Sequence, residues 1–376
     1  MPVTLSEILN RIWSEPNRQM TWGRIPAAQV IGQRPPAPFA VNDDYVIVRL
    51  ASMFLRDSRT LWLKLSPLAH ATVSLDGLKV PRTETAVVGP AQFGDLAAAP
   101  ADRSVVLHQR LAGPAVWRGG DLNIAAGLFA VPKDKAAVAL LDTLGQLAAL
   151  GIPGLAQAGD IAKIVKGGVE GLIGLDGTKP VLGAKVALGD RRGDTPEGSE
   201  AAPCILVGVA APAGKVDIER LWVRGGRMMH GRSADSLRPF EEHDHLLIAV
   251  ERGPPREDFR GLPSLTPHEA AFEAPLRDIA LDETTTKQRL TAAFVAFDAD
   301  LSLEPELTEP DKERIRGLII AELRARVARK FGRLFVETRS VAGILRKVDM
   351  DSFNFLDVGE GGPEAARPTK SGARPF

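Results

Sequence analysis

Apolar and polar residues alternate with a period of two over much of the first half of the chain, a pattern typical of half-buried β-strands. One such run, Ala71 to Leu75, is followed by Asp76-Gly77, a pair that favours a tight hairpin. Five or six such runs predict an α+β fold whose first domain, residues 40–190, is an antiparallel β-sandwich-like structure. The runs begin at Tyr45, Thr60, Ala71, Ser104, Gly120 and Val181.

Two apolar patterns with helical spacing interrupt these strands at residues 133–177. Gly151 and Pro153 end the first pattern, and Asp160 is a good N-cap for the second. The sequence therefore predicts an αα-hairpin inserted into the sandwich. The hairpin either covers an open face of the sheet or leaves it for a bilayer or a partner's groove. Its apolar stripes contain Leu140, Leu144, Leu147, Ile161, Ile164 and Val165.

A stretch rich in turn-forming residues separates this domain from a second block of short apolar runs. Residues 189–201 contain no apolar residue before Ala201, so we predict a linker at 191–201. A second, small β-rich domain is predicted for residues 202–300. Within it, Gly225-Gly226 stands between two short runs and predicts a tight hairpin.

The helical patterns lie at the two ends of the chain. A capping box at Thr4 begins a short helix which, with a proline-rich connector, makes up residues 1–39. A second capping box begins at Thr266, and Pro275 is expected to limit the helix that follows. Residues 301–358 form a predicted helical region, and the tail at 359–376 is too polar and too rich in glycine and proline to order itself.

The longest predicted helix begins after Thr308 and is basic in its second half. Cations near a helix C-terminus are favourable without any ligand. The same residues could instead form a patch for anionic lipid or nucleic acid. These cations are Arg324, Arg326, Arg329, Lys330 and Arg333.

Composition narrows the classes of partner and location. The 376 residues include 47 Lys and Arg and 47 Asp and Glu, so the formal net charge is zero. No overall positive charge attracts nucleic acid, and nucleic acid is not an expected partner. The single cysteine, Cys204, excludes an internal disulfide and begins an apolar run, where a buried inert thiol is expected. Because the N-terminus lacks a basic segment followed by a long apolar one, we expect a cytoplasmic location.

Recognisable catalytic motifs are missing from the sequence. It has no Gly-x-Ser-x-Gly elbow, no phosphate loop and no dinucleotide fingerprint. We therefore expect no cofactor and favour a non-enzymatic function over an enzymatic one. One cluster supports a metal hypothesis. His243 and His245 would project to the same face of a strand, and His230 could supply a third ligand across a hairpin. An exposed acidic turn before a buried strand would produce the same sequence.

These observations lead to three hypotheses of function. The first is a non-catalytic protein–protein interaction or assembly module that acts through amphipathic helical surfaces and has a protein partner. The second is a latent membrane-active effector, released by proteolysis or partner binding, whose membrane contact is conditional. The third is a metal-dependent enzyme that uses His243 and His245. The sequence leaves any small-molecule ligand open.

Overall fold

The computed structural model describes residues 20–32, 37–56, 59–60, 63–75, 82–89, 104–132, 179–189, 201–212 and 214–337. The fold is α+β, with antiparallel sheets followed by C-terminal helices, as the sequence predicts at this level. The chain divides into two compact units, Met1–Pro255 and Arg256–Phe376. The strands belong to the first unit and the α-helices described below belong to the second.

The described part of the first unit contains thirteen strands. They are β1 Thr21–Ile25, β2 Tyr45–Phe54, β3 Arg59–Thr60, β4 Leu63–Leu75, β5 Arg82–Val88, β6 Val105–Val116, β7 Asp121–Pro132, β8 Lys179–Gly189, β9 Cys204–Val209, β10 Leu221–Arg224, β11 Arg227–His230, β12 Arg238–Pro239 and β13 His245–Gly253. Short 3₁₀ turns lie at Ala27–Gln29, Ile218–Arg220, Ala234–Ser236 and Phe259–Gly261, the last of these in the second unit.

These strands form three sheets within the described residues. The first has the order β1-β9-β13-β2-β6. The second has the order β3-β4-β7-β8, and β5 pairs with β4. The third is the small sheet β10-β11-β12, whose Gly225 and Gly226 take positive φ angles of 57° and 75° at the predicted hairpin. That tight turn is therefore confirmed, because glycine adopts this left-handed backbone without a Cβ penalty.

Strand β13 is buried on both of its faces, which explains why its sequence shows no polar alternation. Leu246 and Ile248 belong to a hydrophobic cluster that takes side chains from both large sheets. Leu247 and Ala249 point the other way, into a second cluster shared with the small third sheet. Cys204 of the neighbouring β9 is buried as predicted, and burial raises the pKa of its thiol to about 11.

The described part of the second unit contains three α-helices: α1 Thr266–Arg277, α2 Glu283–Leu303 and α3 Glu309–Glu337. The predicted helix starts near Thr266 and after Thr308 are confirmed. The capping box predicted at Thr266 is wrong, because Leu265 is the N-cap and the Thr266 hydroxyl donates to the Leu262 carbonyl oxygen at 2.9 Å. The Thr308 hydroxyl accepts a hydrogen bond from the Asp311 N–H at 3.3 Å. The Asp282 carboxylate caps α2 by accepting the Thr285 N–H at 2.7 Å. Helix α1 ends two residues after Pro275. Proline removes only its own N–H from the helix, and the Asp278 N–H still donates to the Ala274 carbonyl oxygen at 3.3 Å.

Several predicted segments lie outside the described residues. They are the N-terminal helix at Thr4, the hairpin at 133–177, the tail at 359–376 and, except for Ala201, the linker at 191–201. The strands on either side of that linker belong to one unit, and β9 and β13 pair within the same sheet as β2. Among the described helices, none is long and apolar enough to cross a membrane.

Candidate interaction surface

Helix α2 is apolar on two opposite sides. One side packs into the core of the helical unit through Leu290, Phe294, Phe297 and Leu301, which are between 0% and 6% exposed. The other side is exposed. It carries apolar residues at positions where a solvated helix face usually has polar ones. We name this side the α2 outer stripe; its residues are Ala292, Val295, Ala296, Ala299 and Leu303.

The α2 outer stripe is continuous because its members recur at intervals of three and four residues. Val295 is 60% exposed and Leu303 is 80% exposed, so two large apolar side chains stand in solvent on one helix face. The stripe is not among the surfaces predicted from the sequence. The signal for the stripe was present in the same spacing, but a sequence alone does not tell which of two apolar sides is buried.

The polar groups on one flank of the stripe are satisfied by the helix itself. The Thr291 hydroxyl donates to the Lys287 carbonyl oxygen at 2.8 Å, and the Ser302 hydroxyl donates to the Asp298 carbonyl oxygen at 2.7 Å. Such back-bonded hydroxyls present little unsatisfied polarity beside the apolar residues. This flank is therefore close to neutral.

The opposite flank carries one cation and one anion. Arg289 and Asp300 are both exposed, and the offset of eleven residues between them brings them to nearly the same angle on the helix. The Asp300 carboxylate accepts a hydrogen bond from His268 Nε2 at 2.8 Å, yet its side chain remains 51% exposed. The charges on this flank thus lie at the two ends of the stripe.

Helix α3 also exposes small residues, but less apolar surface. Its only large exposed apolar residue among those described is Leu318, at 40%. The other exposed positions on this side are small residues and one cation, namely Gly317, Ala321, Ala325, Ala328 and Arg329. This face offers less exposed hydrophobic surface than the α2 outer stripe, where Val295 is 60% and Leu303 is 80% exposed.

The predicted basic patch on α3 is divided between structural and exposed cations. Arg326 pairs with Glu273 of α1 and with Glu322. The Lys330 ammonium donates to the carbonyl oxygens of Pro275 and Asp278, at 2.9 and 2.8 Å, so it satisfies the C-terminal end of α1. Arg324 is half-buried and Arg329 is exposed, whereas the Arg333 side chain lies outside the description. A cationic surface formed by these residues stays a prediction.

The three histidines of the metal hypothesis surround one aromatic ring. The Phe240 ring centroid lies 6.3 Å from His230, 6.1 Å from His243 and 5.7 Å from His245. His245 begins β13, and its Nδ1–H donates to the His243 carbonyl oxygen at 3.0 Å, but His243 lies in a bend before the strand. Within the described ranges no group of three or more His, Cys, Asp or Glu side chains is placed to hold a metal ion. The metal site remains a prediction.

The other half of the predicted interaction surface, Leu140, Leu144, Leu147, Ile161, Ile164 and Val165, lies outside the described residues. The membrane-active hypothesis depends on that segment, so it also remains a prediction. Comparison with known proteins adds no assignment: no protein-family model matches the chain, and no curated protein matches it.

Proposed function

We propose that the chain is a non-catalytic protein–protein interaction or assembly module and that the α2 outer stripe is a contact surface. The observation that supports this most strongly is the exposure of Val295 and Leu303, at 60% and 80%, directly opposite a fully packed helix face. Exposed apolar residues that adjoin one another mark interaction sites more often than isolated ones do. A helix that is apolar on two sides has a physical reason to bind a partner.

Burial of this surface would supply part of the free energy of a specific contact. Burying a whole Val or Leu side chain contributes about 1.5–3 kcal/mol, so covering the exposed parts of Val295 and Leu303 would contribute on the order of 3 kcal/mol. The alanines between them add area and allow a partner's backbone to approach closely. The stripe spans about 18 Å along the helix, which matches three turns of a partner helix.

The architecture of the first unit is part of the proposal in its finer detail. We propose that the two large sheets form a β-sandwich and that residues 133–177 form an αα-hairpin inserted between β7 and β8. The sandwich is supported by the hydrophobic cluster that draws on both sheets, including Leu50 of β2 and Leu128 of β7. In this arrangement, the β-sandwich supports the two amphipathic helices of the inserted hairpin.

Site-specific photo-crosslinking tests the interaction surface in the cell that makes the protein. A photoreactive phenylalanine analogue replaces Val295 on the α2 outer stripe, and in a matched variant it replaces Ala321 on the exposed face of α3. We expect a discrete adduct from position 295 that is absent from position 321 and is lost when Leu303→Glu is added. Equal labelling at both positions, or no adduct at 295, would reject the α2 outer stripe as a contact surface.

A further inference from the structure

We infer that the partner of the α2 outer stripe is a second copy of this chain, with the two α2 helices packed antiparallel about a twofold axis close to Val295. This inference rests on the proposed function, because it names the partner for the same surface. Two observations support it: the charges beside the stripe and the small size of the residues along it.

The charges beside the stripe are complementary to themselves in one orientation only. Arg289 lies on the first half of the flank and Asp300 lies on the second half. A twofold axis perpendicular to two antiparallel helices brings the same flanks together, so Arg289 of one copy meets Asp300 of the other, and the pair forms twice. In a parallel twofold pair the charged flank of one copy meets the neutral flank of the other, so neither Arg289 nor Asp300 gains a partner of opposite charge.

The position of the axis follows from these two residues. In an antiparallel pair, facing residue numbers have a constant sum, so pairing 289 with 300 places the axis between 294 and 295. Val295, 60% exposed in the single chain, would then pack against its own copy at the centre of the contact. Ala292, Ala296 and Ala299 lie around it, and their short side chains permit an interaxial distance near the lower limit, about 8 Å.

The hydroxyls on the neutral flank of the stripe are compatible with this contact. The hydroxyls of Thr291 and Ser302 on the neutral flank are bonded within the helix, so covering them leaves no new unsatisfied donor. One helix pair buries less surface than the roughly 1,200 Å² of a standard stable interface. We therefore expect a weak, reversible dimer whose dissociation constant is on the order of tens of micromolar.

Sedimentation velocity of the purified full chain, over a concentration series reaching about 100 μM, tests the dimer. The wild type should shift from monomer to dimer. Val295→Glu should raise the dissociation constant at least about tenfold, because two carboxylates would meet at the axis without partners. Ala321→Glu on α3 adds the same charge to the same unit outside the proposed contact and should leave the dissociation constant unchanged.

A charge exchange tests the orientation. Arg289→Asp and Asp300→Arg should each raise the dissociation constant by about three- to tenfold, whereas the double variant should restore it toward the wild-type value. A merely structural role for either residue would give additive losses and no restoration. Circular dichroism and thermal unfolding of each variant verify that the helices remain folded.

The outcomes separate this inference from the proposed function. A wild type that stays monomeric up to about 100 μM, or a dimer that Val295→Glu leaves intact, overturns the inference. If in addition the adduct from position 295 has the mass of the chain joined to a different protein, the contact surface stands and only its partner is wrong. If position 295 gives no adduct, both proposals fall. An adduct of twice the chain mass, together with restoration by the double variant, supports both.

Discussion

The imidazole of His245 stacks on the ring of Phe54, its direct cross-strand neighbour between β13 and β2, with 5.2 Å between the ring centroids. His245 is fully buried, and burial lowers its pKa to about 4. His70 in β4 is buried as completely, and burial lowers its pKa to about 4 as well. Neither Nε2 atom has a hydrogen-bond partner in the part of the chain that the structure describes. Two imidazoles are thus held neutral inside the first unit.

Because of these two histidines, we expect the free energy of unfolding to decrease as the pH falls. The folded-state pKa of about 4 lies below the ordinary value of 6.5, so the unfolded chain binds protons first. The stability gained by keeping these imidazoles neutral is fully present above the unfolded-state pKa. It is lost progressively as the pH falls from the unfolded-state pKa to the folded-state pKa. From about pH 7.5 to about pH 5, each histidine should reduce the free energy of unfolding by about 2 kcal/mol. Urea unfolding across this range measures the loss.

Variants separate the titration from the packing. His245→Leu should reduce the pH-dependent loss by about half, and the combination with His70→Leu should remove most of it. Phe54→Leu, which removes the stacked ring and keeps both imidazoles, should lower stability at every pH without changing the slope. A slope that survives in the double histidine variant would show that other groups cause the acid sensitivity.

Gly113 in β6 should be much less tolerant of substitution than a glycine with the same backbone conformation in open space. Its φ is +84°, and a Cβ atom there would lie 2.3 Å from the Val46 carbonyl oxygen. Gly214 has a φ of +80° but nothing within 4 Å of the same position. We expect Gly214→Ala to cost about 1 kcal/mol and Gly113→Ala about 3 kcal/mol, because only the second adds a backbone clash. Equal losses in chemical unfolding would contradict the role of the close contact.

Lys330 and its neighbour Arg329 should differ in their contribution to the stability of the helical unit. The Lys330 ammonium bonds the carbonyl oxygens of Pro275 and Asp278 and the Thr286 hydroxyl, whereas the Arg329 side chain is exposed. Lys330→Met should lower the free energy of unfolding by about 1–2 kcal/mol, since it removes the lysine donor from the carbonyl oxygen of the buried Pro275. Arg329→Met should change it by no more than about 0.5 kcal/mol. Thermal unfolding of the two variants makes the comparison, and equal effects would argue against the cap.

The metal hypothesis gives a prediction of its own. If His230, His243 and His245 hold a metal ion, purified protein contains zinc or iron near one equivalent, and His243→Ala loses it. Elemental analysis of both proteins measures this directly. Metal-free wild-type protein that stays metal-free after incubation with zinc would remove the hypothesis.

Local features of the fold could be predicted because their causes are local. The helix after Thr308 begins where predicted, since a side-chain oxygen beside free N–H groups acts within one turn. The helix near Thr266 begins where predicted without a capping side chain, since Pro267 in its first turn has no N–H that needs an acceptor. Gly225-Gly226 forms its hairpin because only the backbone of those two residues has to adopt positive φ. Cys204 is buried because the run that it begins is apolar throughout.

The pairing of distant strands could not be predicted in the same way. Thr21 of β1 lies opposite Val209 of β9, and no pattern within either strand specifies a partner so far along the sequence. The candidate surface was missed for a related reason. Helix α2 carries apolar residues on both sides, and the choice of Phe294 rather than Val295 as the buried side depends on the shape of α1 and α3.

Because β13 is the central strand of the first sheet, proteolytic cleavage between β8 and β9 should not by itself separate the two fragments. Hydrolysis after Arg191 or Arg192 would divide the polypeptide between β8 and β9, yet β9 and β13 would remain hydrogen-bonded to β1 and β2. The two fragments should therefore elute together in native gel filtration and separate only in denaturant. A protease acting there would produce a nicked but undissociated particle, and any release of a segment would need a further event that opens the sheet.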